Sequence, residues 1–177
     1  MKILGISGSL RKSSYNSGLL RAAAAFAPDG IEMLSYQDIP IYNGDDEAAG
    51  GVPARVQEIA AQIDEADGLF FATPEYNFSI PGGLKNLIDW VSRVKPVPFS
   101  DKPTAIMGAA AGPLGTGRVQ YDLRKVLNAL NADIVNKPEV FVGFAGSKFD
   151  ENGDLTDDMS RDFVRQLTEA LHKKIEG

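Results

Sequence analysis

Hydroxyl, amide and cationic side chains crowd the stretch GSLRKSSYN, residues 8–16, which directly follows a short apolar run. Serine hydroxyls and the asparagine amide can donate hydrogen bonds, and an arginine adds a charge-assisted one, so these residue types suit a phosphate. A helix beginning here would add unpaired backbone N–H groups and a partial positive charge. The plainer alternative is a serine-rich helix cap with solvated cations. The stretch predicts an anion site whose candidate residues are Ser9, Arg11, Ser14 and Asn16.

A second unusual stretch, TPEYNFSIPGGLKN, spans residues 73–86 and places Tyr76 and Phe78 among prolines and glycines. A connection from a strand to a helix usually takes about 2–6 residues and needs no aromatic side chains. Aromatic rings held beside free backbone N–H groups suit a planar ring ligand. The alternative is a rigid turn whose aromatic residues pack locally. We therefore predict that this stretch lines a ring-binding site.

A third stretch, GAAAGPLGTGR at residues 108–118, consists almost entirely of small residues. Small residues let a flat ligand approach the backbone closely. The segment from Gly112 nearly matches a nucleotide-binding phosphate loop, but Arg118 replaces the lysine and Val119 the serine or threonine. Without that hydroxyl there is no obvious magnesium ligand, so nucleotide hydrolysis is not expected. The alternative is simply a flexible loop.

Composition excludes several classes of function. The chain has 177 residues, 44% of them hydrophobic, and a formal net charge of −6, which argues against a nucleic-acid partner. It has no cysteine, so neither a disulfide nor a thiol nucleophile is available, and no metal site is predicted. No apolar run approaches the roughly 20 residues that cross a bilayer, and no secretory signal is recognised. We expect one domain over residues 1–177, in the cytoplasm and without membrane partners.

Apolar runs alternate with helical patterns along the chain, and these elements must position the three stretches. The segment DIPIYNGDD is predicted to be a loop because it combines a proline with an Asn-Gly turn signal. The alternation predicts an α/β fold with a doubly wound, five-stranded parallel sheet and helices on both faces. Ligands of such sheets bind beyond the carboxyl ends of the strands, where the three stretches begin. The predicted strands are MKILGIS, IEMLSY, GLFFAT, PTAIMGAAA, and a fifth shared between ADIV and EVFVG.

The motifs GSLRKSSYN and PEYNFSIPGGLKNLIDWVSR together resemble those of the NAD(P)H-dependent FMN reductases, particularly the flavodoxin-like quinone, chromate and azo-dye reductases. The resemblance extends from the first strand through NKPE at residues 136–139. It implies a flavodoxin-like FMN-binding domain. In such a domain the first motif would hold the phosphate through Ser9, Arg11, Ser14 and Asn16, with Tyr15 alongside. The second motif would line the isoalloxazine ring with Glu75, Tyr76, Asn77 and Phe78.

The third stretch departs from the family pattern. Relatives often carry serines where this chain has Ala109, Ala110 and Ala111. A hydroxyl contact to the flavin is then lost, and the Ala110 N–H is expected to serve in its place. Ala110 therefore completes the set of predicted cofactor-binding residues.

The resemblance implies ping-pong hydride transfer from NAD(P)H to quinones or other small oxidants, including chromate and azo compounds. Because the flavin carries the chemistry, no side chain is predicted to be catalytic. Relatives are usually homodimers or homotetramers, with Arg118, Tyr121 and Glu139 as candidate assembly contacts. Two alternatives stay open: a flavodoxin-like electron carrier for a protein partner, and a reductase that uses free FMN as a substrate. The preference between NADH and NADPH also stays open.

Overall fold

Three buried strands form the centre of the fold. The computed structural model describes residues 1–177. Its central strands are β1 (Ile3–Ser7), β3 (Gly68–Ala72) and β4 (Pro103–Ala109). Every residue of β1 and β3 is buried. Their sequences are almost continuously apolar because both faces of these strands are covered by helices.

Shorter strands complete the sheet at its two edges. They are β2 (Glu32–Met33), β5 (Asp133–Ile134) and β6 (Val140–Val142), and all pairings are parallel. The strand order is β2-β1-β3-β4-β5, with β6 also on β4. β5 pairs with the beginning of β4 and β6 with its end, so the predicted sharing of one strand position is confirmed. The predicted second strand IEMLSY was too long, because only two residues pair and both are exposed.

The chain has six α-helices, and five of them cover the sheet. α1 and α6 pack on one face, whereas α3, α4 and α5 pack on the other, which confirms the prediction of helices on both faces. The prediction of a continuous loop at DIPIYNGDD was wrong, because Asn43 accepts a hydrogen bond from the Asp45 N–H and starts a helix there. None of the helices is both long and apolar enough to cross a membrane. Their bounds are α1 (Tyr15–Ala24), α2 (Gly44–Gly50), α3 (Ala54–Glu65), α4 (Gly82–Val91), α5 (Gly117–Ala129) and α6 (Asp158–Glu176).

Two apolar layers sandwich the sheet. Successive residues of a strand point to opposite faces, so Phe70 packs towards α1 and α6 while Phe71 packs towards α3, α4 and α5. Trp90 is the largest fully buried side chain, and its indole N–H donates to the carbonyl of Pro40 at 2.9 Å. This bond satisfies the indole donor and holds the segment before α2 against α4.

The carboxyl ends of β1, β3 and β4 lie side by side. Ser7 is in register with Ala72, and Ala72 with Met107, so the three strands end at one edge of the sheet. The chain leaves β1 towards β2 on one side and later returns to β3 on the other. The strand order therefore reverses at β1 and β3, which is where ligands bind in sheets of this type.

Candidate functional site

Asn16 joins the loop after β1 to the end of β4. Its side-chain oxygen accepts from the Ala109 N–H at 2.9 Å, and its nitrogen donates to the Ala109 carbonyl at 3.1 Å. Both polar atoms of the Asn16 side chain are hydrogen-bonded to the backbone, and the residue is only 2% exposed. Its hydrogen bonds make Asn16 a clamp between two loops. Its predicted contact with a phosphate stays a prediction.

The loop before α1 keeps several donors free. The Ser14 hydroxyl caps α1 by accepting from the Asn16 N–H at 3.2 Å, and Ser9 accepts from the Arg11 N–H at 3.4 Å. Each hydroxyl still has its own hydrogen to donate. The N–H groups of Ser13 and Tyr15 donate to no other group of the chain, and Arg11 is exposed. These free donors at a helix N-terminus are the chemistry that a phosphate monoester requires.

Buried residues that the sequence did not single out hold this loop in place. The Ser7 hydroxyl donates to the Ser9 carbonyl at 3.1 Å and accepts from the Ser17 hydroxyl, also at 3.1 Å. The Tyr36 hydroxyl donates to the Ser7 carbonyl at 2.6 Å. Burial raises the pKa of Tyr36 well above its usual value, so the phenol keeps its proton. No local pattern around Tyr36 marks it, because its partner Ser7 lies 29 positions away along the chain, at the end of β1.

The loop after β3 is a tight hairpin. Tyr76 and Ser79 exchange two backbone hydrogen bonds, of 3.2 and 3.0 Å. Between them, Asn77 and Phe78 have φ angles of 48° and 67°, the conformation of a type I′ turn. Such angles are unfavourable for a bulky residue such as phenylalanine. The turn leaves Phe78 66% exposed at the rim of a cavity.

Glu75 ties this hairpin to α5. Its Oε2 accepts from the N–H groups of Arg118 and Val119 at 3.1 and 3.2 Å, and Oε1 lies 3.4 Å from Arg118 Nε. Thus Glu75 caps a helix 43 residues away along the chain. Glu75 lies in the cavity wall, and its carboxylate is bonded to α5. Its predicted place beside the flavin ring stays a prediction.

A second contact joins the hairpin to α5 one turn further along. The Ser79 hydroxyl donates to Asp122 at 3.1 Å. Hydrogen bonds from Lys125 and Ser79 hold the pKa of Asp122 below its usual range, so the carboxylate stays charged. Two loop residues therefore bind two successive turns of one helix, which fixes the orientation of the hairpin.

The hairpin and the loop after β4 enclose a cavity of about 620 Å³, a size typical of small-molecule sites. Tyr76, predicted to line the ring, lies outside this lining and is 47% exposed. Gly115, at φ 58°, lets the third loop pass close to the backbone of β6. The cavity is lined by Glu75, Asn77, Phe78, Ala110, Ala111, Gly112, Pro113, Leu114, Gly115 and Arg118.

Ala110 lines the cavity but does not offer the donor that was expected. Its N–H donates to the Val142 carbonyl at 3.0 Å, so this group is already paired within the chain, and its contact with a flavin stays a prediction. The pairing of β4 with β6 continues one residue beyond the strand and occupies the group. The next two N–H groups, of Ala111 and Gly112, donate to no other group of the chain and lie in the cavity wall.

The arrangement suits FMN in both of its parts. Ser9 and Arg11 lie on a smaller cavity of about 210 Å³. The free N–H groups of Ser13 and Tyr15 follow in the same loop, at the start of α1. Asn16 links that region to Ala109, whose neighbour Ala110 lines the larger cavity. The larger cavity provides an aromatic face, free N–H groups and small residues, which are features that accept a planar ring.

Comparison with known proteins agrees with this arrangement. The profile of a family described as NADPH-dependent FMN reductase matches residues 1–147. The chain belongs to the NADPH-dependent FMN reductase family. This membership confirms the resemblance drawn from the two motifs, and with it the expectation of an NAD(P)H-dependent oxidoreductase that works with FMN.

Individual members of the NADPH-dependent FMN reductase family and related structures align over nearly the whole chain. The chain is 50% identical over 173 residues to an NAD(P)H-dependent FMN reductase of Pseudomonas aeruginosa, covering 97% of this chain and 93% of the relative. It is 41% identical over 173 residues to a quinone reductase of Escherichia coli K12, covering 95% and 92%. Among solved structures, the flavoenzyme NAD(P)H:(acceptor) oxidoreductase FerB of Paracoccus denitrificans superimposes with a TM-score of 0.87 at 29% identity, covering 99% and 97%. An archaeal flavodoxin, 9% identical with a TM-score of 0.62 and full coverage of both chains, supports the fold alone.

Proposed function

We propose that this chain is an FMN-dependent NAD(P)H oxidoreductase that reduces quinones and other small oxidants, chromate and azo compounds among them. The observation that carries the proposal is the set of free donors at the start of α1, next to a cavity with an aromatic rim. The relatives named as FMN and quinone reductases, at 50% and 41% identity, support the same activity. Residues 1–177 would form one FMN-binding domain.

We assign two roles to the predicted site residues. Ser9, Arg11, Ser14 and Tyr15 would bind the phosphate of FMN, and Asn77, Phe78 and Ala110 would contact its ring. Asn16 and Glu75 would position the two loops, because their polar atoms are bonded within the chain. Tyr76 would hold the turn through its backbone. When bound, FMN supplies the hydride chemistry, while the protein binds and orients the reactants.

The direct test is to purify the protein and follow nicotinamide oxidation. We expect a yellow protein that oxidises NADH or NADPH when a naphthoquinone is added, with the parallel initial-rate lines of a ping-pong reaction. A colourless protein that added FMN cannot reconstitute would contradict the proposal. Titration with each nicotinamide under anaerobic conditions would then measure the preference between NADH and NADPH.

Two further measurements separate this activity from its alternatives. An electron carrier would hold FMN but show no direct reduction by NADH or NADPH in stopped-flow mixing. A reductase that treats FMN as a substrate would lose it during gel filtration. We expect direct reduction by a nicotinamide, together with flavin that co-elutes with the protein.

The assembly proposed for this chain is a homodimer or homotetramer in the cytoplasm. Tyr121 is 55% exposed beside Phe141 on the edge strand β6, and a hydrogen bond to Glu139 raises the pKa of Tyr121. This exposed aromatic pair supports an association face. Arg118 was expected there as well; within one chain it contacts Glu75 and Phe78, and its part in assembly stays a prediction. Light scattering of Tyr121→Asp should show a smaller particle than the unchanged protein. The absence of cysteine is compatible with a reducing compartment.

A further inference from the structure

Two asparagines of the chain are directly followed by glycine, at Asn43-Gly44 and at Asn152-Gly153. In such a pair the backbone nitrogen of the glycine can attack the side-chain carbonyl carbon of the asparagine, because glycine has no side chain to obstruct the approach. The attack needs a glycine nitrogen without a hydrogen-bond acceptor and a backbone that can move. The two pairs have the same local sequence, so their surroundings decide which of them reacts.

Asn43 and Gly44 meet these requirements at the start of α2, where both residues are exposed. Gly44 is the first residue of the helix, so its N–H has no acceptor within α2, and it donates to no other group of the chain. The Asn43 side chain is held by one bond, which its oxygen accepts from the Asp45 N–H at 3.0 Å. Its nitrogen makes no hydrogen bond within the chain. The attacking nitrogen and the leaving nitrogen are therefore both free.

The helix that Asn43 caps opens easily. α2 has only seven residues, and none of them is buried. A helix this short is marginal unless apolar packing stabilises it. Beyond the cap, its side-chain bonds are those of Glu47 with Tyr42 and Arg93. Segments with few buried contacts open locally most often, so the backbone at Gly44 has the freedom that the attack requires.

The turn around Asn152 obstructs the same reaction. The N–H of Gly153, the group that would have to attack, donates to the Asp150 carbonyl at 3.0 Å, and Gly153 is buried. The Asp150 carboxylate accepts from the N–H groups of Asn152 and Asp154, both at 2.9 Å. Arg21 donates to the carbonyls of Asn152 and Gly153 at 3.3 and 2.8 Å. Several bonds must break together before the Gly153 nitrogen can reach the side chain of Asn152.

We propose that Asn43 is a site of spontaneous deamidation, from which the turn protects Asn152. The Gly44 nitrogen gives up its proton and forms a bond to the side-chain carbonyl carbon of Asn43, and the bond from that carbon to the side-chain nitrogen breaks. The displaced nitrogen takes up the proton and leaves as ammonia, and a cyclic imide remains. Water then opens the imide at one of its two carbonyls, which gives aspartate or isoaspartate at position 43. Nothing is oxidised or reduced, and water is the sole co-reactant.

The two products affect α2 differently. An aspartate at position 43 can still cap the helix, where the helix dipole favours its charge. Isoaspartate adds a methylene group to the backbone, so the bond to the Asp45 N–H is lost and α2 opens. The change remains local, because Asn86 and Trp90 both donate to the carbonyl of Pro40 and hold the chain before α2 against α4.

The test is to incubate the folded protein at mildly alkaline pH and to digest samples under acidic conditions, which stop the reaction. Mass spectrometry of the peptides measures the conversion of each amide to a carboxylate, and an isoaspartate methyltransferase labels the isoaspartate product. Asn43 should be converted at least about tenfold faster than Asn152, because the bonds around Asn152 must open first. Equal rates at the two sites, faster conversion of Asn152, or an Asn43 that stays intact would overturn the proposal.

Gly44→Ala tests the role of the attacking nitrogen. The added methyl group meets only the Tyr42 hydroxyl, at 3.8 Å, which is an ordinary contact, so the fold should be kept. Because the methyl group obstructs the attack, conversion of Asn43 should slow several-fold. Gly50→Ala is the matched control, since it makes the same change in the same helix, in open space, and raises helix propensity in the same way. An equal rate at Asn43 in the two variants would contradict the attack by the Gly44 nitrogen.

Asp150→Ala tests the protection of Asn152. The variant removes the acceptor of the Asn152 and Asp154 N–H groups, so conversion of Asn152 should rise several-fold while conversion of Asn43 stays the same. Glu151→Ala is the control, because it removes the same charge from the neighbouring exposed position. If Asn152 reacted as slowly in Asp150→Ala as in Glu151→Ala, the protection assigned to the turn would be wrong.

Discussion

The loops after β1 and β3 both carry polar residues at the ends of buried strands, but they use them differently. In the first loop, Asn16 is bonded to the backbone of β4, while Arg11 and several N–H groups remain free. In the second loop, the carboxylate of Glu75 is bonded to α5, and an exposed ring at Phe78 remains. The first loop therefore offers charge and donors, whereas the second offers an aromatic surface.

The difference between the two loops corresponds to the two parts of FMN, its phosphate and its ring. FMN and riboflavin share the ring, and only FMN carries the phosphate. A change in the first loop that acts on the phosphate should lower the affinity for FMN alone. A change in the second loop should lower the affinity for both flavins by the same factor. Measuring the affinity of each variant for both FMN and riboflavin therefore tests whether the first loop acts on the phosphate and the second on the ring.

The largest effect is expected for Asn16→Ala. The substitution leaves the buried N–H and carbonyl of Ala109 without their partners. Because each unpaired buried group costs about 1–3 kcal/mol, we expect the free energy of unfolding to fall by about 3 kcal/mol in urea titrations. Asn128→Ala is a matched control, since Asn128 is exposed on α5 and should change stability little.

The same variant can contradict the role given to Asn16. If Asn16 bound phosphate directly, Asn16→Ala would lower the affinity for FMN and leave the flavin-free protein as stable as before. If Asn16 instead clamps the first loop to β4, the substitution should lower the stability of the flavin-free protein. Urea titrations of the flavin-free protein distinguish the two roles.

A smaller effect, confined to one flavin, is expected for Arg11→Ala. Arg11 is exposed, and its side chain makes no hydrogen bond within the chain, so stability should not change. Loss of a charge-assisted contact to phosphate should weaken FMN binding by about 1.5–3 kcal/mol without affecting riboflavin. Fluorescence titration measures both affinities. Lys12→Ala removes the neighbouring cation and serves as the control, and an equal loss in that variant would mean that only the total charge matters.

Glu75→Ala should act on both flavins. It removes the acceptor for two N–H groups at the start of α5 and frees the hairpin from that helix. Loss of a helix cap costs about 0.5–2 kcal/mol, and we expect a decrease in stability of about 1 kcal/mol by thermal unfolding. FMN and riboflavin should weaken equally. A loss seen only with FMN would show that Glu75 acts on the phosphate rather than through the hairpin. Glu151→Ala, at an exposed turn, is the control.

The sequence predicted the parts of the fold that depend on burial. The strands β1, β3 and β4 are continuous apolar runs because helices cover both of their faces. It overestimated β2, whose two residues are exposed and carry no such signal. It missed α2, because the Asn43-Gly44 pair that indicates a turn also begins a helix when Asn43 caps it.

The site was predicted in its residue types and only partly in their roles. Polar and aromatic residues after strand ends can be recognised from the sequence, and three of these, Ser9, Arg11 and Phe78, line cavities at that edge of the sheet. Their partners cannot, because the sheet order brings together residues distant in sequence. Asn16 and Ala109 are 93 positions apart, and Glu75 and Arg118 are 43 apart. For the same reason the Ala110 N–H, bonded to β6, could not be recognised as occupied.

The smallest effect is expected for Tyr36→Phe, which tests the support beneath the first loop. The phenol donates to the Ser7 carbonyl at 2.6 Å, and its loss should lower the free energy of unfolding by about 1 kcal/mol. Burial raises the pKa of Tyr36 in the folded state, whereas the unfolded chain ionises near pH 10, about the usual value for tyrosine. Below about pH 10 the phenol keeps its proton in both the folded and the unfolded state. The difference in free energy of unfolding between the unchanged protein and Tyr36→Phe should therefore be constant there. Above it only the unfolded tyrosine ionises, so the unchanged protein should lose stability that Tyr36→Phe does not lose. The difference in free energy of unfolding between the two proteins, measured by urea titration, should therefore narrow as the pH rises above about 10. A difference that grows would mean that the phenol ionises first in the folded state.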